Sequence, residues 1–184
     1  PPGGACRKPI VRWEASRPIR IALREIDPVY LGRRAKVATS AFKLGLRSLN
    51  ATGAGFRLAE VPAGEIAEIE VWFLGIERGE AITGTGIAGV DGTAIGGAST
   101  RALFNHDTGF IERAVIVVST TLSTTEFQPV MLEELTQAMG LMTDIKSASY
   151  NGVSVLAQDS NAAKSLGLQD IMALKRHYAE DWPK

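Results

Sequence analysis

Ile19-Arg20-Ile21-Ala22-Leu23-Arg24 alternates apolar and polar side chains with the period of a strand, and Pro28 closes that run. From Val29 to Leu49 the spacing changes. Val37, Phe42, Leu46 and Leu49 fall on one face of a helix, which Asn50-Ala51-Thr52-Gly53 stops. Phe56 to Val61 alternates again and predicts a second strand. Ile66 to Leu74, through Ile69, Val71, Trp72 and Phe73, predicts a more buried strand with Trp72 in the core. Gly75 to Gly97 is rich in glycine and predicts a long surface loop or edge segment. Asn105-His106-Asp107-Thr108-Gly109, set between Ala102-Leu103-Phe104 and Phe110-Ile111, predicts a hairpin. The unbroken β-branched run from Arg113 to Ser119 predicts a strand covered on both faces.

A second helix follows. Thr124 or Thr125 is the expected cap, Pro129 suits the first turn, and Met131, Leu135, Ala138 and Met139 form an apolar stripe. Gly140 is placed to end it. Ile145 to Ala163 reads mostly as loop, and Leu168 to Tyr178 as a final amphipathic helix through Ile171, Leu174 and Tyr178. The opening stretch, with prolines at 1, 2, 9 and 18, reads as irregular. With no repeat and no linker, the expected plan is an irregular segment over 1–17 and one α+β domain over 18–184. In that domain a twisted mixed sheet packs on a long helix and a second helix, with a small C-terminal helical segment.

A length of 184 residues suits one core, and a hydrophobic share of 45% argues against disorder. Twenty basic and twenty acidic residues cancel, so nucleic acid is not an expected partner. The apolar runs are too short to span a bilayer. Cys6 is the lone cysteine, which rules out an intrachain disulfide. No leader is visible at Pro-Pro-Gly-Gly-Ala-Cys, and Gly4-Ala5-Cys6 is weak support for lipoprotein anchoring.

The second helix carries the chemistry. A zinc-protease helix reads His-Glu-x-x-His, because two ligands four residues apart share one face and the glutamate between them activates metal-bound water. Leu132-Glu133-Glu134-Leu135-Thr136-Gln137-Ala138-Met139-Gly140-Leu141 resembles the longer metzincin pattern with substitutions. Glu133 and Gln137 stand at the two histidine positions, Glu134 at the catalytic glutamate, Gly140 at the glycine and Thr143 at the third histidine. The chain resembles a family of secreted bacterial zincin-like domains that carry Glu-Glu-Leu-Thr-Gln-Ala-x-Gly-Leu and a late helix with an aspartate near its start, here Asp170. The resemblance covers residues 18 to 182 and is specific only over Glu133 to Leu141. It implies a zincin or metzincin-like fold and a secreted or periplasmic location in a bacterium.

Zinc favours imidazole and thiolate, and the chain has two histidines, His106 in the hairpin and His177 on the last helix. A three-histidine site is therefore impossible, and no metal is expected at the helix. Glu133, Gln137 and Asp144 offer oxygens that suit calcium or magnesium better. The structural reading has Glu133 and Gln137 hydrogen-bonding the loop from Thr143 to Asn151, so that losing Glu133 would leave its partners unpaired. Glu134 has a catalytic role only if the site is active.

Other motifs are weaker. Gly84-Thr85-Gly86-Ile87-Ala88-Gly89 matches G-x-G-x-x-G without the strand and helix that dinucleotide binding needs. Ser40-Ala41-Phe42-Lys43 matches S-x-x-K inside a helix, without the companion motifs. Asn50-Ala51-Thr52 is a formal glycosylation sequon that reads better as a helix stop, and Trp13 and Trp182 are candidates to pack together. The functional expectation is a non-catalytic, degenerate metalloprotease-like domain of the cell envelope with peptide or protein in the former active-site cleft. The alternatives are a metal-dependent hydrolase with an atypical Glu/Gln site, and an assembly component that docks through its glycine-rich loop or edge strand.

Overall fold

The structure, a computed structural model, describes residues 9–24, 26, 32–160 and 162–180. Cys6, Pro28 and Trp182, and the expectations attached to them, lie outside the described residues.

Five strands form one sheet in the order β2-β1-β3-β5-β4. They are β1 (Ile19–Leu23), β2 (Leu58–Glu60), β3 (Ile69–Leu74), β4 (Ala98–Phe104) and β5 (Ile111–Ser119). β1 pairs parallel with β2 and β3, and β3 parallel with β5, while β4 closes the far edge antiparallel to β5. The parallel pairs need crossovers, and α1 (Ala35–Asn50) supplies the first. The antiparallel pair is the predicted hairpin. Gly109, at φ +71°, completes its turn and donates its N–H to the Asn105 carbonyl at 2.8 Å. β5 is buried from Ala114 to Ser119 because helices cover one face and the 75–97 segment the other.

α1 begins after a single 3-10 turn, Gly32–Arg34. Its buried face is Ala38, Ala41, Phe42, Gly45, Leu46 and Leu49, so Val37, 37% exposed, lies off the predicted stripe. α2 (Phe127–Ala138) crosses α1 at Gly45, where an added Cβ would sit 2.5 Å from Leu135 Cδ1. Asn50 stops α1 and then acts like a strand residue. Its amide donates to the Leu58 carbonyl at 2.9 Å and its Oδ1 accepts from the Leu58 N–H at 2.8 Å. Those bonds hold the short edge strand β2, and they employ the amide of the sequon.

Several expectations need correction. β2 starts at Leu58 rather than Phe56, and β3 starts at Ile69, because Ile66 is 78% exposed on the preceding turn. Trp72 is half-buried, with its indole N–H donated to Glu70. The 75–97 segment does run as loop, but it buries Ile82, Val90 and Ile95 against Val115 and Val117 on the outer sheet face. An apolar run in a glycine-rich stretch thus makes a small core of its own. Neither Thr124 nor Thr125 caps α2: Glu126 holds the cap position, and its carboxylate accepts the Ser123 N–H at 2.9 Å.

Residues 9–17 contain no helix or strand beyond a bridge from Arg12 to Phe110, yet Val11 and Trp13 are buried in the main core. Trp13 donates its indole N–H to the Ala138 carbonyl at 2.8 Å, at the end of α2. Tyr178, just past α3 (Leu168–His177), donates to the neighbouring Met139 carbonyl at 2.9 Å. These two rings satisfy carbonyls that a helix C-terminus leaves without partners. Among the described residues, no helix is long and apolar enough to cross a membrane.

Candidate active site

α2 places Glu133, Glu134 and Gln137 by its own periodicity, and β4 lies alongside. A cleft of about 220 Å³ opens between them. Its lining includes Gly96, Gly97 and Ala98 from the approach to β4, and Val130, Glu133 and Glu134 from α2. Arg78 and Glu126 also line it and form an ion pair at 2.5 Å.

Glu134 is 6% exposed. The Thr100 hydroxyl on β4 donates to its Oε2 at 2.6 Å. Burial raises its carboxyl, the Thr100 bond lowers it, and the Asp144 charge raises it again, leaving it at about 7. Glu133 is half-buried and makes no hydrogen bond among the described residues. Burial first, then the charges of Glu134 and Asp144, push it up to about 8. Gln137 donates its side-chain N–H to Asp144 Oδ1 at 2.9 Å. Among the described residues, the loop that follows α2 therefore takes a hydrogen bond from Gln137 and none from Glu133. Gly140 ends the helix at φ +100°, and Thr143 and Asp144 are exposed just beyond it.

Glu133, Glu134, Gln137 and Asp144 thus come together, while Thr143 is exposed and its side chain makes no hydrogen bond with them among the described residues. Sequence reading missed Thr100, Arg78 and Glu126. No local pattern marks them, since Thr100 is 34 residues from Glu134 and Arg78 is 48 from Glu126.

The donors on the helix, two carboxylates and an amide, are not the imidazole and thiolate that zinc favours. Among the described residues no group of three or more histidine, cysteine, aspartate or glutamate side chains is arranged to hold a metal ion. His106 is exposed in the β4–β5 turn, its ring centroid 4.6 Å from that of Phe104. His177 is buried, its Nε2 2.8 Å from the Val11 carbonyl oxygen. Neither lines the cleft.

The chain belongs to the DUF2927 family. The family is described as "Protein of unknown function (DUF2927)", and its model matches residues 3–181. No curated protein matches the sequence. Among solved structures the DUF2927 chain is similar to the crystal structure of myroilysin. The TM-score is 0.50 and the identity 12%, over 92% of this chain and 86% of that one. The DUF2927 domain therefore has an α+β zincin-like fold, as expected from the order of its elements.

The two raised carboxyls have a measurable consequence. The native state retains protons that the unfolded chain releases above pH 4.5, so their contribution is complete below that pH and is lost as pH rises through about 7 and about 8. Glu133→Gln removes the more raised group without emptying its place. The variant should gain stability over the wild type between pH 5 and pH 8.5, on the order of 2 kcal/mol at the upper end. Urea melts across that range check this. A difference independent of pH would show that Glu133 ionises freely in the folded protein.

Proposed function

We propose that this chain is a non-catalytic, peptidase-like domain of the bacterial cell envelope that holds a segment of peptide in the cleft between α2 and β4. The observation that carries this reading is the cleft over Glu133 and Glu134, on a helix whose two ligand positions hold a carboxylate and an amide. An amide bond is hard to hydrolyse without an electrophile beside the carbonyl, and the helix offers none. Glu133 lacks a hydrogen-bond partner among the described residues, so a lysine or arginine side chain of the peptide is its natural complement. Binding such a cation would ionise Glu133 and release a proton at neutral pH.

A hydrolase reading is favoured by one feature. Glu134 lies in the cleft with a carboxyl near 7, which suits a general base.

Both readings meet in one set of measurements. A fluorescent lysine-rich peptide is titrated into wild type and Gly96→Phe, with peptidase assays in zinc, calcium or magnesium. Gly96 lines the cleft and an added Cβ there would meet no atom within 4 Å, so a bulky side chain can be introduced at the cleft wall. The wild type should bind, Gly96→Phe should lose at least tenfold in affinity, and no cleavage should appear. Protein purified from zinc-containing buffer should hold well under one zinc per chain, since a glutamate and an amide are poor substitutes for two imidazoles. Cleavage that depends on an added cation and vanishes in Glu134→Gln would establish the hydrolase instead. Equal peptide affinity in wild type and Gly96→Phe would place binding elsewhere.

A further inference from the structure

Arg33, Arg34, Lys36, Lys43 and Arg47 all fall between residues 32 and 50, a stretch with no aspartate or glutamate. The net charge of zero therefore conceals a marked segregation. On α1 the cations do not scatter. Lys36, Ser40, Lys43 and Arg47 follow the i, i+4, i+7, i+11 spacing of one helix face, and all four are exposed. Val37 and Leu44, seven residues apart, run beside them at 37% and 40% exposure. Arg33 is exposed at the start of the same face. Arg34 is spoken for, since its guanidinium donates to the carbonyls of Thr120 and Leu122. Among the described residues, Arg33, Lys36, Lys43 and Arg47 enter no ion pair, whereas Arg17, Arg20, Arg24, Arg78 and Arg113 all do. The opposite face of the helix is packed against the core.

A solvated helix usually mixes signs, because i,i+4 pairs of opposite charge stabilise it and like charges repel. Here four cations with no ion pair among the described residues share one surface with two large apolar side chains. We propose that this face of α1 docks the domain onto an anionic lipid surface, with the cations over the headgroups and Val37 and Leu44 at the acyl boundary. The charge favours an anionic partner, and the apolar pair beside it favours a lipid interface over a soluble polyanion. The attachment is peripheral, and the peptide cleft plays no part in it.

Sedimentation of the full chain with vesicles tests this. Vesicles of phosphatidylcholine mixed with phosphatidylglycerol should carry the protein down, and vesicles of phosphatidylcholine alone should not. Raising the salt should release it. Each of Lys36→Gln, Lys43→Gln and Arg47→Gln should weaken partitioning about fivefold. Leu44→Ser should weaken it as well, and Gly96→Phe should not. Leu44→Trp gives a second readout that depends on no loss of charge: its emission should shift to the blue on phosphatidylglycerol vesicles and stay put in soluble polyglutamate. Equal binding to both vesicle types, or no response to any of the three cation variants, would overturn the proposal. So would a protein that prefers polyglutamate and ignores Leu44→Ser, which would make the partner an acidic polymer.

Discussion

Gly140→Ala is expected to be among the most damaging single substitutions in the chain, although it adds one methyl group. Two costs coincide. The residue stands at φ +100°, where L side chains are strained by about 1–2 kcal/mol. An added Cβ would also lie 2.1 Å from the Val11 carbonyl oxygen and 2.6 Å from His177 Nε2. That oxygen belongs to the backbone and cannot swing aside like a side-chain tip. Relief requires the N-terminal segment to lift, which breaks the 2.8 Å contact between His177 and Val11 and exposes Trp13. A loss of about 3 kcal/mol or more is expected from strain and the broken buried bond together. Urea melts followed by tryptophan fluorescence would measure it. A variant within about 1 kcal/mol of wild type, below the strain expected for that backbone conformation, would mean that the end of α2 relaxes freely.

Asp170→Ala is the second large effect. Asp170 is 2% exposed at the start of α3, where a carboxylate also complements the helix dipole. It accepts the Ser154 hydroxyl at 2.5 Å, the Val155 N–H at 3.1 Å and the Gly167 N–H at 2.8 Å. Ser154 in turn accepts the Leu156 N–H at 3.1 Å. One carboxylate therefore ties both ends of the 154–167 stretch to the last helix. Alanine orphans three donors at once, with an expected loss of about 3 kcal/mol. The Asp170→Asn variant keeps one acceptor oxygen and should lose less. The damage should be local first. Val155, Leu156 and Ala163 pack with Leu132 on α2, and that small cluster depends on the stretch staying down. Hydrogen exchange should quicken at Val155 and Leu156 before it does in β5. Unchanged exchange there, with an unchanged melt, would show that the hydrophobic cluster holds the stretch without Asp170.

By itself the sequence determined the order and type of the elements. Strand and helix periods are local properties, and Ile19 to Arg24, Arg113 to Ser119 and the Met131 to Met139 stripe each show theirs within about ten residues. It also determined the chemical identity of α2, since Glu133, Glu134 and Gln137 stand on one helix and their spacing follows from its pitch. Element edges were less legible. Phe56 and Ile66 are apolar enough for strands, yet pairing begins only where β1 offers a partner, at Leu58 and Ile69. Only the tertiary structure decided what surrounds the helix. The bond from Thr100 to Glu134, the ion pair of Arg78 with Glu126 and the crossing of Val11 over Gly140 join residues 34, 48 and 129 apart. No periodicity spans such distances. The same holds for Glu133, which makes none of its expected bonds to the following loop among the described residues, while Gln137, one turn on, reaches Asp144. The placement of Glu133 beside the buried Glu134 is a product of packing, and the raised carboxyls at the cleft follow from that burial.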